Sequence, residues 1–171
     1  MIIDSKWDGR FMRLAREVST WSKDPSAQIG AVIIRDRRIL ATGYNGFPKG
    51  ILDTPERLND KEQKYPRVIH AETNALLNSL DSGASVRGST MYVYGLPICA
   101  DCTKSIIQSG IVRVVIPYAE TAGVRWFMQW IDISRPMFEE ANIQITEIDT
   151  DTLDNEQITF RIHMNNNNKD T

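Results

Sequence analysis

The chain has 171 residues, 42% hydrophobic and 25% charged, and its 20 Lys and Arg against 22 Asp and Glu leave a net charge of −2. That is about one domain's length, enough to bury one sizeable core, and the composition excludes a disordered chain. The near-balance of charge argues against a grip on nucleic acid, which asks for a basic face, and no apolar run nears the ~20 residues of a membrane span.

Met1-Ile2-Ile3-Asp4-Ser5-Lys6 lacks both the basic start and the apolar stretch of a secretion signal, so the expected location is cytoplasmic. In residues 8–21, Phe11, Leu14, Ala15, Val18 and Trp21 recur at steps of three or four, which predicts an amphipathic helix. Pro25 ends it, because the residue before a proline is pushed out of the helical region. Residues 29–34 read as a buried strand, Asp36-Arg37-Arg38 as a turn and residues 39–44 as a second strand, together a hairpin. Asn45-Gly46-Phe47-Pro48-Lys49-Gly50 is loop. Residues 51–67 are polar and aperiodic, which suggests a functional loop or a short helix.

A second helix is expected over 70–80, a third strand over 90–94, and a third helix over 99–108 with Ser109-Gly110 as its stop. A fourth strand follows over 111–116. Residues 124–141 suggest a last helix that Pro136 kinks or divides, and residues 143–148 a fifth strand. Residues 1–162 are thus expected to form a single α/β layer sandwich, with 163–171 a polar, disordered tail.

Only two cysteines occur, in Cys99-Ala100-Asp101-Cys102, and only two histidines, His70 and His163. A Cys-x-x-Cys pair in a cytosolic chain is either a redox couple or half of a metal site. A redox pair of the thioredoxin kind follows a first βαβ strand, with no His-x-Glu helix upstream. A structural zinc wants a fourth ligand, and His163 is the one spare histidine. A catalytic zinc needs three protein ligands and an open position for water, which His70, Cys99 and Cys102 supply. Glu72, two residues after His70, reaches the same cavity without being a ligand. Zinc lowers the pKa of water towards neutrality, and a neighbouring carboxylate carries the protons. Both motifs fall at expected helix starts, where exposed N–H groups and the dipole favour thiolates. His-x-Glu with Pro-Cys-x-x-Cys recurs in zinc-dependent base deaminases.

Further motifs stand in order around this pair: Ser22-Lys23-Asp24-Pro25, Gln28-Ile29-Gly30-Ala31-Val32, Gly43-Tyr44-Asn45-Gly46-Phe47-Pro48, and Lys64-Tyr65-Pro66-Arg67 leading into Val68-Ile69-His70-Ala71-Glu72. Ile106-Ile107-Gln108-Ser109-Gly110-Ile111 closes the set. Over roughly residues 8–147 the chain resembles the deoxycytidylate deaminase family of the cytidine deaminase superfamily. The resemblance implies a three-layer α/β/α sandwich with a five-stranded mixed sheet and zinc between two helix starts. It implies hydrolysis of dCMP to dUMP and ammonia, supplying dUMP for thymidylate synthesis. Deamination of dCTP or of a modified cytosine nucleotide is the alternative, and action on polynucleotide bases is disfavoured by the charge. A scaffold that only senses nucleotides is disfavoured by the intact His70, Glu72, Cys99 and Cys102.

The resemblance further implies that Asn45 contacts the sugar hydroxyl or the pyrimidine and that Ala71 offers its backbone to the base edge. Lys23 is the candidate for the 5′-phosphate, against a reading as a solvated surface lysine. Relatives of this kind are commonly hexamers activated by dCTP and inhibited by dTTP, so a homo-oligomer, hexamer or dimer, is expected. Trp126, Phe127, Trp130 and Met137 are expected to serve the core or a subunit interface. Two departures from the family stand out. Ile98 replaces the usual proline before the first cysteine, with Pro97 one position earlier. Residues 117–126 lack the family's acidic, histidine-containing segment.

Overall fold

In the computed structural model, which describes residues 5–155 and 157–163, strand β1 (Gly30–Arg35) turns back into β2 (Arg38–Tyr44) as the expected hairpin. Asp36 and Arg37 make the turn with φ of 52° and 62°, the left-handed pair that matches strand twist in a two-residue loop. β1 also pairs antiparallel with β3 (Thr90–Tyr94), which runs parallel to β4 (Arg113–Pro117), itself parallel to β5 (Gln144–Ile148).

Among the described residues the sheet has six strands in the order β2-β1-β3-β4-β5-β6, not five. β6 (Phe160–His163) adds antiparallel to β5 at the edge. Only Phe160 and Ile162 of its four residues are apolar, and the strand is half-exposed, so no buried run announces it. His163, expected to open the tail, ends this strand, and residues 164–171 lie outside the described residues.

Strand alternation sends side chains to two faces. Ala31, Ile33, Met91, Val93 and Val114 meet α4 (Ala71–Asp81) and α5 (Ala100–Ser109). Val32, Ile34, Tyr92, Val115 and Ile148 meet α1 (Ser5–Ser19). Two glycines set how closely the helices approach. A Cβ on Gly30 would stand 2.1 Å from the Ala15 carbonyl of α1, and one on Gly43 would stand 2.3 Å from the Ala75 amide and 2.5 Å from the Ala71 carbonyl of α4. Gly43 thereby seats the start of α4 hard against β2. The three-layer α/β/α arrangement follows, and among the described residues no helix is long and apolar enough to cross a membrane.

The first helix runs three residues earlier than its apolar stripe and ends at Ser19. Ser19 and Thr20 bond their hydroxyls back to Arg16 and Glu17 carbonyls at 2.7 Å, which competes with the helix ladder. Trp21 therefore leaves the stripe, 52% exposed. The aperiodic stretch holds two short helices, α2 (Pro55–Asn59) capped by Thr54 and α3 (Lys61–Lys64) capped by Asp60. Pro136 divides the last helix, as its missing N–H requires. α6 (Val124–Gln129) passes through a π-helical turn (Trp130–Ser134) into α7 (Arg135–Glu140), with Pro136 in the first turn of α7. Trp130 and Phe138 are fully buried core aromatics.

Candidate active site

His70 and Cys99 occupy matching places, each the capping residue before its helix, α4 and α5, and neither caps with its side chain. The side chains are free to turn towards each other. His70 Nδ1 lies 3.3 Å from Cys99 Sγ and 3.5 Å from Cys102 Sγ, and all three donor atoms fall within 4.8 Å of one another. Zinc bonds of about 2.0 Å to nitrogen and about 2.3 Å to sulfur place a tetrahedron's N–S edge at about 3.5 Å. The cluster has the size and the chemistry of a three-ligand zinc site. His163 is elsewhere, its Nε2 3.1 Å from Glu147 Oε2 on β5.

A bond from Cys102, and then one with His70, holds the Cys99 thiol well below the usual thiol range. The bond to Cys99 pushes His70 up to about 9. Cys102 is pushed up, first by its bond to Cys99 and then by burial, because a second bare thiolate would sit beside the first. A dication between them lets both sulfurs ionise. Glu72, only 4% exposed, is pushed up to about 7 by burial. A carboxyl tuned there both accepts and returns protons near neutrality.

His70, Glu72 and Cys99 open onto one cavity of about 540 Å³, lined also by Ala71 and Asn45. The volume falls in the range of small-ligand pockets. Ala71 is completely buried at the start of α4. The Asn45 amide ties the loop ahead of β1: its Oδ1 accepts from Ile29 N and its Nδ2 donates to Ala27 O, both at 2.8 Å. One amide hydrogen remains for a ligand. Lys23 lies outside this cavity. Its Nζ is 2.9 Å from Asp53 Oδ2, and it lines a neighbouring hollow of about 100 Å³ with Trp21.

Sequence reasoning assigns no role to Lys64, Asp24 or Arg125, yet all three line the main cavity. Lys64 and Asp24 sit inside quoted family-like motifs, the only signal they carry. Trp126, expected in the core or at an interface, also lines the cavity, whereas Phe127 packs against the core and Trp130 lies within it. Ile98, in place of the family's proline, is 1% exposed in the core, and Pro97 forms part of the cavity wall.

A three-ligand zinc site between two helix starts, with a buried carboxylate beside it on an α/β/α sandwich, defines the class of zinc-dependent deaminases. The sequence model of the cytidine and deoxycytidylate deaminase zinc-binding region matches residues 5–118. The chain belongs to this family, and zinc is its metal. It is 37% identical over 149 residues to an uncharacterized deaminase in the luxG 3′ region of Aliivibrio fischeri, covering 87% of this chain and 98% of that one. It is 43% identical over 116 residues to the deoxycytidylate deaminase of Mus musculus, covering 64% of either chain. The crystal structure of the dCMP deaminase of cyanophage S-TIM5 in complex with dCMP and dUMP superposes with a TM-score of 0.65 at 26% identity, covering 80% of this chain and 95% of that one.

Proposed function

We propose that the chain hydrolyses dCMP, with dCMP and water giving dUMP and ammonia. The observation that carries this reading is the buried Glu72 in the wall of the cavity that holds His70 and Cys99. His70, Cys99 and Cys102 would hold zinc, which when bound supplies the Lewis acidity that makes water nucleophilic near neutral pH. Glu72 takes the proton that the attacking water sheds and delivers it to ring nitrogen N3. It then takes the second and passes it to the exocyclic amine, which departs from C4 as ammonia. Burial keeps bulk water from short-circuiting these transfers. Asn45 and the Ala71 backbone face the sugar and the base edge in this reading.

The monophosphate is favoured by the relatives that bind or carry the name of dCMP. Supply of dUMP for thymidylate synthesis in the cytoplasm, and control by dCTP and dTTP, belong to the same proposal. So does assembly into a homo-oligomer: Val124, Met128 and Ile133 stand 78%, 48% and 46% exposed along α6 and the π turn. Ammonia release from deoxycytidine, dCMP, dCTP and a single-stranded oligonucleotide tests the reading. The expected result is a kcat/KM for dCMP at least tenfold above each of the others. Preferential release from the oligonucleotide or dCTP would displace dCMP.

A further inference from the structure

The cavity's buried end is acidic and sulfur-rich, and it admits an anionic substrate only if its open end carries positive charge. Two cations line it, Lys64 and Arg125. They are not equivalent. Lys64 Nζ lies 3.0 Å from Asp24 Oδ1 and 3.1 Å from Ser26 Oγ, and the paired side chains are 6% and 9% exposed. Its charge is matched and two of its three donors are engaged, so it holds the loop to α3 rather than a ligand. Lys23 is committed to Asp53 outside the cavity.

Arg125 differs on every count. It is exposed, it lines the cavity from the first turn of α6, and among the described residues it forms no ion pair. Its guanidinium carbon lies 5.6 Å from the ring centroid of Trp126, which lines the same cavity. The aromatic face steadies the cation without neutralising it. A phosphomonoester carries about −1.5 to −2 at neutral pH, and a guanidinium fork meets two of its oxygens at once. Arg125 also lies beyond residues 5–118, over which the family's sequence model matches.

We infer that Arg125 is the nucleotide-selecting residue of this enzyme, taking the substrate's phosphate at the open end of the cavity while Trp126 forms the wall behind it. The inference rests on the reading of the chain as a dCMP deaminase. Removing one charge-assisted contact costs about 10- to 100-fold in affinity. Arg125→Ala should therefore raise the KM for dCMP by about that factor and leave kcat within about threefold. Deoxycytidine, which has no phosphate, should lose less than about threefold in kcat/KM, and Arg125→Lys should recover part of the dCMP loss as a point charge. Zinc content and thermal midpoint should match the wild type, since the side chain is outside the core. An unchanged KM for dCMP, or a parallel loss on deoxycytidine, overturns the inference. If no cytosine compound is turned over, the functional reading fails by itself, and titration with inorganic phosphate decides about Arg125. Wild-type binding that weakens at least about tenfold in Arg125→Ala supports the residue's role; equal binding, or none by the wild type, overturns it.

Discussion

Two buried polar clusters lie on opposite faces of the same sheet, and they are built on opposite principles. On the α1 face, Asp8 Oδ1 accepts from Tyr92 Oη at 2.7 Å and from Arg113 Nη1 at 2.8 Å, and its Oδ2 accepts from Arg113 Nη2 at 2.7 Å. Thr146 Oγ1 accepts from Arg113 Nη2 and Nε at 3.0 and 3.3 Å. Burial first, then Asp8, holds the Tyr92 hydroxyl well above the usual phenol range, so it stays a donor. Charge and hydrogen bonds close within the protein. On the α4–α5 face, two sulfurs and an imidazole crowd one point with their donor atoms turned towards each other, beside the buried carboxyl of Glu72. A saturated cluster fixes a fold, because any change costs an unpaired charge. An unsaturated one of the same size is a site, because a metal and a substrate complete it.

The comparison breaks first at the metal. Stripping zinc with a chelator should abolish turnover and lower the thermal midpoint, since the free energy of metal binding then no longer favours the folded state. Restoring one zinc per chain, measured by elemental analysis, should restore both. Retained turnover at under a tenth of a zinc per chain would remove the metal from the reaction. Next in size is Glu72→Gln. The amide still hydrogen-bonds but carries no protons, so single-turnover deamination should fall by about 10²–10⁴-fold or more. Zinc content and calorimetric binding of dCMP should change little. More than about a tenth of wild-type turnover would free Glu72 from the proton transfers.

The saturated face should answer differently. Asp8→Ala leaves Arg113 charged and buried, a loss of about 3–5 kcal/mol. Urea unfolding should show it as a lower midpoint with the slope unchanged, while turnover per folded molecule stays within about twofold of wild type. If the Asp8 variant instead loses turnover at full stability, the two faces are coupled and the division between them fails.

The two clusters also differ in how far they could be read from the chain. His-x-Glu and Cys-x-x-Cys are local, each within four residues at the start of a helix, and amphipathic spacing places those starts. The closed cluster draws on bonded pairs up to 105 apart in sequence, and the Asp24–Lys64 pair spans 40. No spacing rule links such residues; only the strand order brings them together. The π-helical turn before Pro136 is of the same kind. Proline announces a break, but whether the chain kinks, stops or widens depends on Trp130 finding its place in the core. β6 escapes notice because an edge strand of four residues needs no buried run.

The smallest expected effect concerns Lys23, the residue sequence reasoning favours for the phosphate. Its side chain is 69% exposed and its ammonium rests on Asp53, whose side chain is 39% exposed. Exposed pairs of this sort contribute about 0–1 kcal/mol, so Lys23→Ala should shift the unfolding midpoint barely at all. In the structure its charge also faces the smaller hollow beside Trp21 and not the cavity that holds Glu72. At that remove, water and salt screen most of what it could offer a phosphate in the main cavity. Lys23→Ala should thus change the KM for dCMP by less than about twofold in 0.15 M salt, against the tenfold or more expected of Arg125→Ala. The two variants measured side by side rank the cations directly. Were Lys23→Ala to raise the KM by tenfold and Arg125→Ala to leave it unchanged, the loop ahead of β1 would have to swing in on binding, breaking the Asp53 pair to bring Lys23 to the substrate.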